Sequence, residues 1–326
     1  MNRFLMTLLC SAAVACGGTA MDPSFSTRSA SAATAEGRAA ALAALLAADA
    51  AHTAAIAQLG PVDGVVRAMR GNALYVAADI DIVQGKNDIR ATIATAEPDA
   101  VHTSLKRTLA GGDVSADGRF GFTFGWLQRT RPASDGTSLT SYGTYVSTWG
   151  RDDDAFRVTA YYTRVSLTPH LPTRDGFPLL LGGAGAGGVS RPGSVEQHRR
   201  ALLQTDAEFA AYSVAHGFSA SFPAFSADIA MPFGRNFFFL IGNQEVTDFY
   251  AGSPPEEVVD WTPVFAGASE SGDLGFTVGK VVDSITNPDG SVDRFYSKYL
   301  TLWARQASGS WRFIADGGAA SPPPSP

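Results

Sequence analysis

Cysteine is almost missing from this chain. Of 326 residues only Cys10 and Cys16 are cysteines, both near the start, so the body holds neither a disulfide framework nor a thiolate metal site. Histidine is scarce as well: His52, His102, His170, His198 and His216 lie far apart, with none of the spacings that bring two imidazoles to one metal. Basic residues number 25 against 31 acidic ones, and the net charge of −6 argues against nucleic acid as a partner, because its phosphates need a basic surface. No G-x-S-x-G occurs, which removes the nucleophile elbow of a serine hydrolase. What is present is apolar: 45% of the residues are hydrophobic and 17% charged, enough to bury real cores. The length allows two domains of roughly 100–200 residues each.

The chain opens with MNRFLMTLLCSAAVAC. Arg3 supplies a positive start, and Phe4 to Val14 form an apolar stretch too short to span a bilayer as a helix. Small residues, Ala13-Val14-Ala15, then precede Cys16. The pattern resembles a bacterial lipoprotein signal over residues 1–15, cleaved before Cys16, whose thiol is then acylated and held in a lipid bilayer. An ordinary secretory peptide cut near Ala20 is the alternative. Gly17-Gly18 carries no retention aspartate, so the resemblance implies an outer-membrane lipoprotein of the cell envelope, facing the periplasm or the cell surface. Residues 16–37, rich in Ser, Thr and Ala, read as a flexible tether.

The body is one plan written twice. Asp49, Gly60 and Gly85 stand 157 residues before Asp206, Gly217 and Gly242. Further on, Gly121-Phe-Thr-Phe-Gly125 and Gly275-Phe-Thr-Val-Gly279 stand 154 apart, as do Tyr145 and Tyr299, Trp149 and Trp303, and Arg151 and Arg305. A three-residue deletion is all the alignment needs. Each unit begins as helix. In Ala41 to Gln58 the apolar residues Leu42, Leu45, Leu46 and Ile56 recur at helical spacing up to Gly60-Pro61. The second copy starts at Ser194-Val-Glu-Gln197, a capping-box pattern, and carries Leu202, Leu203, Phe209 and Tyr212 on one face. Each unit then turns to period two, with Asp117-Gly118, Asp135-Gly136, Asp289-Gly290 and Ser308-Gly309 as hairpin turns. Helices followed by an antiparallel meander are an α+β order, not alternating βαβ.

Residues 38–165 and 194–317 are thus expected to be two domains. Between them, 166–193 is rich in Gly and Pro, and 318–326 is a Pro-rich tail expected to lack structure. Gly183, Gly185 and Gly188 formally make a G-x-G-x-x-G, but a dinucleotide site needs a helix starting in that loop, and Ser190-Arg191-Pro192-Gly193 interrupts it. The segment reads as a linker, and no cofactor is expected.

Leu203-x-x-Asp206, Ala215-His-Gly217, Phe225-Ser-Ala-Asp228, Gly242-Asn-Gln-Glu-Val246, Gly275-Phe-Thr-Val-Gly279, Tyr299-Leu-Thr-Leu-Trp303 and Trp311-Arg-Phe-Ile-Ala-Asp316 follow one another in the order found in the nuclear-transport-factor-2-like superfamily. Tyr145-Val-Ser-Thr-Trp149 and Phe156-Arg-Val158 repeat part of it. The sequence resembles that superfamily, in the ketosteroid-isomerase and SnoaL-like branches, in two tandem copies. The resemblance implies cone-shaped domains, each a strongly curved antiparallel sheet around N-terminal helices, with a hollow suited to a small molecule. It also implies that the two units could pair through their sheets as an intramolecular pseudo-dimer.

An isomerase of that branch needs a carboxylate base on the first strand of the hollow. The matching places fall near Phe233 and Ala77, neither acidic; Asp79 would need a two-residue shift. The expectation is therefore a lipid-anchored protein that binds a small apolar or amphipathic molecule. The rival is an isomerase, cyclase or dehydratase using Asp or His with Tyr donors, and a third reading has both hollows filled by aromatics. Candidate ligand-binding residues are Arg235, Tyr250, Asp260, Trp261, Tyr296, Lys298 and Asp316 in the second unit, and Arg67, Tyr75, His102 and Trp126 in the first. Arg235 could clamp a carboxylate, and Tyr296 and Lys298 share a strand face. Asp206 and Asp228 read as helix or turn caps, Tyr299 and Trp303 as core, and Phe233–Ile241 as a buried strand.

Overall fold

The computed structural model describes residues 35–166, 180–181, 189–232, 240 and 242–324. Helix α1 (Ala35–Arg67) starts the first half and is kinked at Gly60, whose φ of 77° lets the chain turn before Pro61 resumes the helix. By length and composition it could cross a membrane; Ala41, Leu45, Asp49, His52 and Ile56 on it are buried. Strands β1 (Met69–Ala77) and β2 (Val83–Gln84) and helix α2 (Lys86–Ala96) follow. The meander β3 (Ser104–Val114), β4 (Phe120–Pro132), β5 (Ser138–Asp152) and β6 (Ala155–Ser166) closes the half, and the short β7 (Leu180–Leu181) joins its edge.

The second half repeats the order. It contains α3 (Val195–His216), α4 (Phe218–Phe225), β8 (Ser226–Pro232) and α5 (Asn243–Tyr250). Strands β9 (Glu257–Ala268), β10 (Leu274–Thr286), β11 (Val292–Arg305) and β12 (Trp311–Ala320) complete it. The capping box expected at Ser194 is present: the Ser194 hydroxyl accepts from Gln197 N at 3.2 Å, and Gln197 Oε1 accepts from Ser194 N at 2.8 Å. The sheets run β2-β1-β6-β5-β4-β3-β7 and β8-β12-β11-β10-β9. Their registers match: Gly121 faces Trp149 and Gly125 faces Tyr145, as Gly275 faces Trp303 and Gly279 faces Tyr299.

The sheets are not wholly antiparallel. β1 lies parallel to β6, β8 to β12 and β7 to β3. Hairpin turns join the meander strands; β1 and β8 leave helices and reach the far end of the meander without a tight turn to it, so nothing forces them antiparallel to it. Two segment boundaries also differ from the sequence reading. Leu180–Leu181 of the Gly/Pro-rich segment pair with Gly111 and Gly112, and β12 runs on to Ala320, where Ser321 N still donates to Tyr296 O at 2.9 Å.

Among the described residues, three apolar clusters hold the fold together. One lies between α1, α2 and the inner face of the first sheet, around Leu45, Ile56, Tyr145, Trp149 and Tyr161. A second lies under α3 and α4, around Leu202, Phe209, Phe222, Trp303 and Phe313. The third joins the outer faces of both sheets, with Phe120, Phe122, Phe124 and Trp126 from one and Phe276, Val278, Leu300 and Leu302 from the other. Polar links cross the same boundary: Ala116 N donates to Asp273 Oδ2 at 2.8 Å, Ser271 N to Asp117 Oδ2 at 2.7 Å, and Tyr162 OH to Gly318 O at 2.8 Å. Both faces of each sheet are therefore covered, one by helices and one by the other sheet.

Candidate functional site

A polar cluster is built at the same place in each half, and the repeated Gly-Phe-Thr-x-Gly strand explains how. A Cβ on Gly121 would stand 2.8 Å from Leu45, and one on Gly275 would strike Leu202, so the first glycine lets the leading helix approach the sheet. A Cβ on Gly125 or Gly279 would stand 2.9 or 2.6 Å from the ring of Tyr145 or Tyr299, so the second makes room for the tyrosine. The threonine between them accepts from tryptophan, Trp149 Nε1 to Thr123 at 2.9 Å and Trp303 Nε1 to Thr277 at 2.8 Å. It then bonds the helix aspartate: Thr123 Oγ1 donates to Asp49 Oδ1 at 2.8 Å, and Thr277 bonds Asp206 likewise. Tyr145 reaches Asp49 at 3.3 Å and Tyr299 reaches Asp206 at 2.6 Å.

The halves then diverge. Arg107 faces Leu127 across β3–β4, and the same place in the second half, facing Val281, is Trp261. The Arg107 guanidinium forms a fully buried ion pair with Asp49 and lies 3.8 Å over the Tyr145 ring. Its Nη1 also donates to His52 Nδ1 at 2.8 Å, while His52 Nε2 donates to Val65 O at 2.9 Å. Burial, aided by the Arg107 charge, pulls the His52 pKa down to about 3, so this imidazole stays neutral and is no base at ordinary pH. In the second half Trp261 Nε1 donates to Asp206 Oδ1 at 2.8 Å, and Phe209, in the place of His52, meets the Trp261 ring edge-on at 4.6 Å. Tyr161, which faces Ser147, is matched by Asp316, which faces Thr301.

These exchanges decide which half is hollow. Arg107 and Tyr161 help fill the first, leaving about 200 Å³ beside Tyr75, Glu97, Arg129 and Thr163. The second keeps about 420 Å³, walled by Phe209, Phe218, Phe222, Tyr250, Val259 and Trp261, with Asp206, Tyr299, Thr301 and Asp316 reaching into it. Asp206 is buried, and burial raises its pKa against the pull of its Tyr299, Thr277 and Trp261 hydrogen bonds. Asp316 accepts from Thr301 Oγ1 at 2.6 Å. Burial, helped by the nearby Asp206 charge, lifts the Asp316 pKa to about 7, so it can take or give a proton near neutrality. Among the described residues no group of His, Cys, Asp and Glu is placed to hold a metal.

Of the residues named from sequence, Tyr250, Trp261, Tyr296 and Asp316 do line the second hollow, and Tyr75 lines the smaller first one. Five others line neither hollow. Asp260 is exposed, because strand alternation turns it away from its inward neighbours Val259 and Trp261. Lys298 points to the opposite face of β11 from Tyr299, where its ammonium donates to Ala320 O at 2.6 Å and to Ile80 O of the first half. Trp126 is buried between the sheets, not in the hollow. His102 sits on an exposed turn, bonded to Asp99 at 2.7 Å. Arg67 likewise lies outside, exposed at the end of α1 in a groove with Asp154 and Phe156. Arg235, Phe233 and Cys16 lie outside the described residues, as does Phe233–Ile241 apart from Leu240.

Sequence reasoning missed several members of the site. Asp206 was expected to cap a helix, but it lies mid-α3 and aims at the sheet, and Tyr299 lines the hollow as well as packing. The signal for both was their recurrence as Asp49 and Tyr145 at matched offsets. Arg164, which reaches the hollow from β6 of the first half, had no sequence signal at all.

No protein-family model matches the chain, and no curated protein matches it. Among solved structures it is similar to a ketosteroid isomerase-like protein from Erwinia carotovora atroseptica, at 18% identity and TM-score 0.32, covering 39% of this chain and 96% of that one. It is similar also to an NTF-2 like protein of unknown function from Shewanella oneidensis, at 12% identity and TM-score 0.30, over 37% and 97% of the two chains. A third is an NTF2-like superfamily protein from Salmonella enterica, at 9% identity and TM-score 0.32, over 40% and 95%. These neighbours are NTF2-like and ketosteroid isomerase-like proteins, and each spans about two-fifths of this chain. The fold is α+β.

Proposed function

We propose that the protein is held to the cell envelope through acylated Cys16 and binds a small, largely apolar molecule in the hollow of its second half. The observation that carries the reading is the 420 Å³ space with an aromatic wall and a few convergent polar groups. That size and lining are those of small-molecule sites, which run roughly 300–1,000 Å³. A space this large speaks against the reading in which both interiors are plugged by aromatics. The test is to incubate the mature protein with a metabolite library and detect bound mass by native mass spectrometry. Gly318 lines the hollow where the first half has Thr163, and a Cβ there would meet nothing closer than Lys298 O at 3.8 Å. Gly318→Leu therefore fills the space and is expected to abolish binding; retention of ligand by this variant would sink the assignment. Cys16→Ser is expected to move the protein out of the membrane fraction.

A second reading is favoured by one observation: Asp316 lines the hollow with a pKa near 7. A carboxyl poised there is suited to general acid–base work of the isomerase, cyclase or dehydratase kind. It calls for a library product that is isomeric with its precursor, or one water lighter, and that disappears with Asp316→Asn.

A further inference from the structure

We infer that the hollow of the second half receives an organic cation, an amine or guanidine on an apolar body, seated against Asp316 and Asp206. The inference rests on the small-molecule reading above and adds the ligand's charge. The two halves supply the comparison. In the first, the buried carboxylate of Asp49 meets a guanidinium that the chain itself provides, flattened over Tyr145 and 5.5 Å over Tyr161. The second half keeps the same aspartate, threonine and tyrosine, as Asp206, Thr277 and Tyr299. It replaces the cation with Trp261 and replaces Tyr161 with a second acid, Asp316. One site is thus self-neutralised by an ion pair, while in the other the donors on Asp206 and Asp316 among the described residues are neutral: Trp261, Tyr299 and Thr277 on Asp206, and Thr301 on Asp316.

Arg164, a cation that reaches the hollow from the first half, bonds to the Tyr162 hydroxyl. Acids such as Asp206 and Asp316 facing a space with aromatic walls are costly to ionise alone, and a cation entering beside them removes that cost. The same walls attract it: the faces of Trp, Tyr and Phe stabilise ammonium and guanidinium groups. Arg107 over Tyr145 is the same pairing made within the chain.

The experiment is titration calorimetry of the mature protein at pH 8 with three probes of one shape: phenethylamine, phenethyl alcohol and phenylacetate. The amine is expected to bind at least about tenfold more tightly than the alcohol, the return of one charge-assisted contact, and the acid not to bind. Asp316→Asn should remove the amine's advantage over the alcohol. Trp261→Arg writes the first half's own cation into the second and should abolish amine binding, with its melting curve checking that it folds. Equal binding of amine and alcohol, or an amine advantage that survives Asp316→Asn, overturns the cation inference and leaves the small-molecule reading standing. Failure of all three probes overturns both.

Discussion

Arg107 shows what one residue does here. Its side chain is fully buried, and its charge is tolerated only because Asp49 pairs with it and Tyr145 lies beneath it. Arg107→Met leaves Asp49 without its buried partner, and removing one partner of a buried pair costs about 3–5 kcal/mol. Urea unfolding should show a loss of that order, and Asp49→Asn in the same chain should restore much of it. Asp316 makes the opposite case, a carboxyl whose hydrogen-bond donor among the described residues is the neutral Thr301. Its pKa rises from an ordinary 3.8 to about 7, so between those values the folded protein keeps a proton that the unfolded chain releases. Stability should therefore fall as pH climbs through that window and level off above about 7. Asp316→Asn has no such proton to hold, so its stability relative to the parent should grow between pH 5 and pH 8 in paired denaturation curves.

At the scale of elements, each hollow depends on how near a helix and a tyrosine can come to one strand. β10 carries glycine at both ends of Gly275–Gly279, where Leu202 of α3 and the ring of Tyr299 press against it. Gly279→Ala places a methyl 2.6 Å from that ring and against Thr262 O. Overpacking of this kind costs typically about 1–3 kcal/mol, and it should push Tyr299 off Asp206. The measurements are denaturant midpoint and ligand binding, and binding should suffer even at temperatures where the fold survives. These elements were largely readable beforehand. Period-two alternation gave the meander, Asp-Gly pairs gave its turns, and Ser194 with Gln197 gave the start of α3. The parallel edge strands were not readable, since no local turn chemistry marks a strand that returns from a helix.

At the scale of the molecule, the apolar cluster between the sheets means that neither half is covered by its own chain alone. Cut apart, one half would expose Phe122, Phe124 and Trp126, and the other Phe276, Leu300 and Leu302. Each such side chain contributes roughly 1.5–3 kcal/mol on burial. Residues 194–324 expressed alone should therefore self-associate or fail to fold, as size-exclusion chromatography would show, whereas the full chain should unfold in one transition. A monomeric, stable half would show that the sheet-to-sheet packing is dispensable. The same boundary brings Arg164 of one half to the hollow of the other, so the site is a property of the pair.

The α+β order, the twofold plan and the turns could be read from the residues alone, because these follow from local spacing and from residues recurring at fixed offsets. The sequence also placed Trp261 and Asp316 in the neighbourhood of a site. Which face of each strand meets the hollow was decided only in three dimensions. When helices cover one side of a sheet and a second sheet covers the other, both faces are buried, and alternation no longer tells inside from outside. Trp126 and Lys298 were misassigned for that reason, and Asp206 and Tyr299 went unrecognised. The contrast between a first half plugged by Arg107 and a second left open likewise appears only once the two registers are laid over one another.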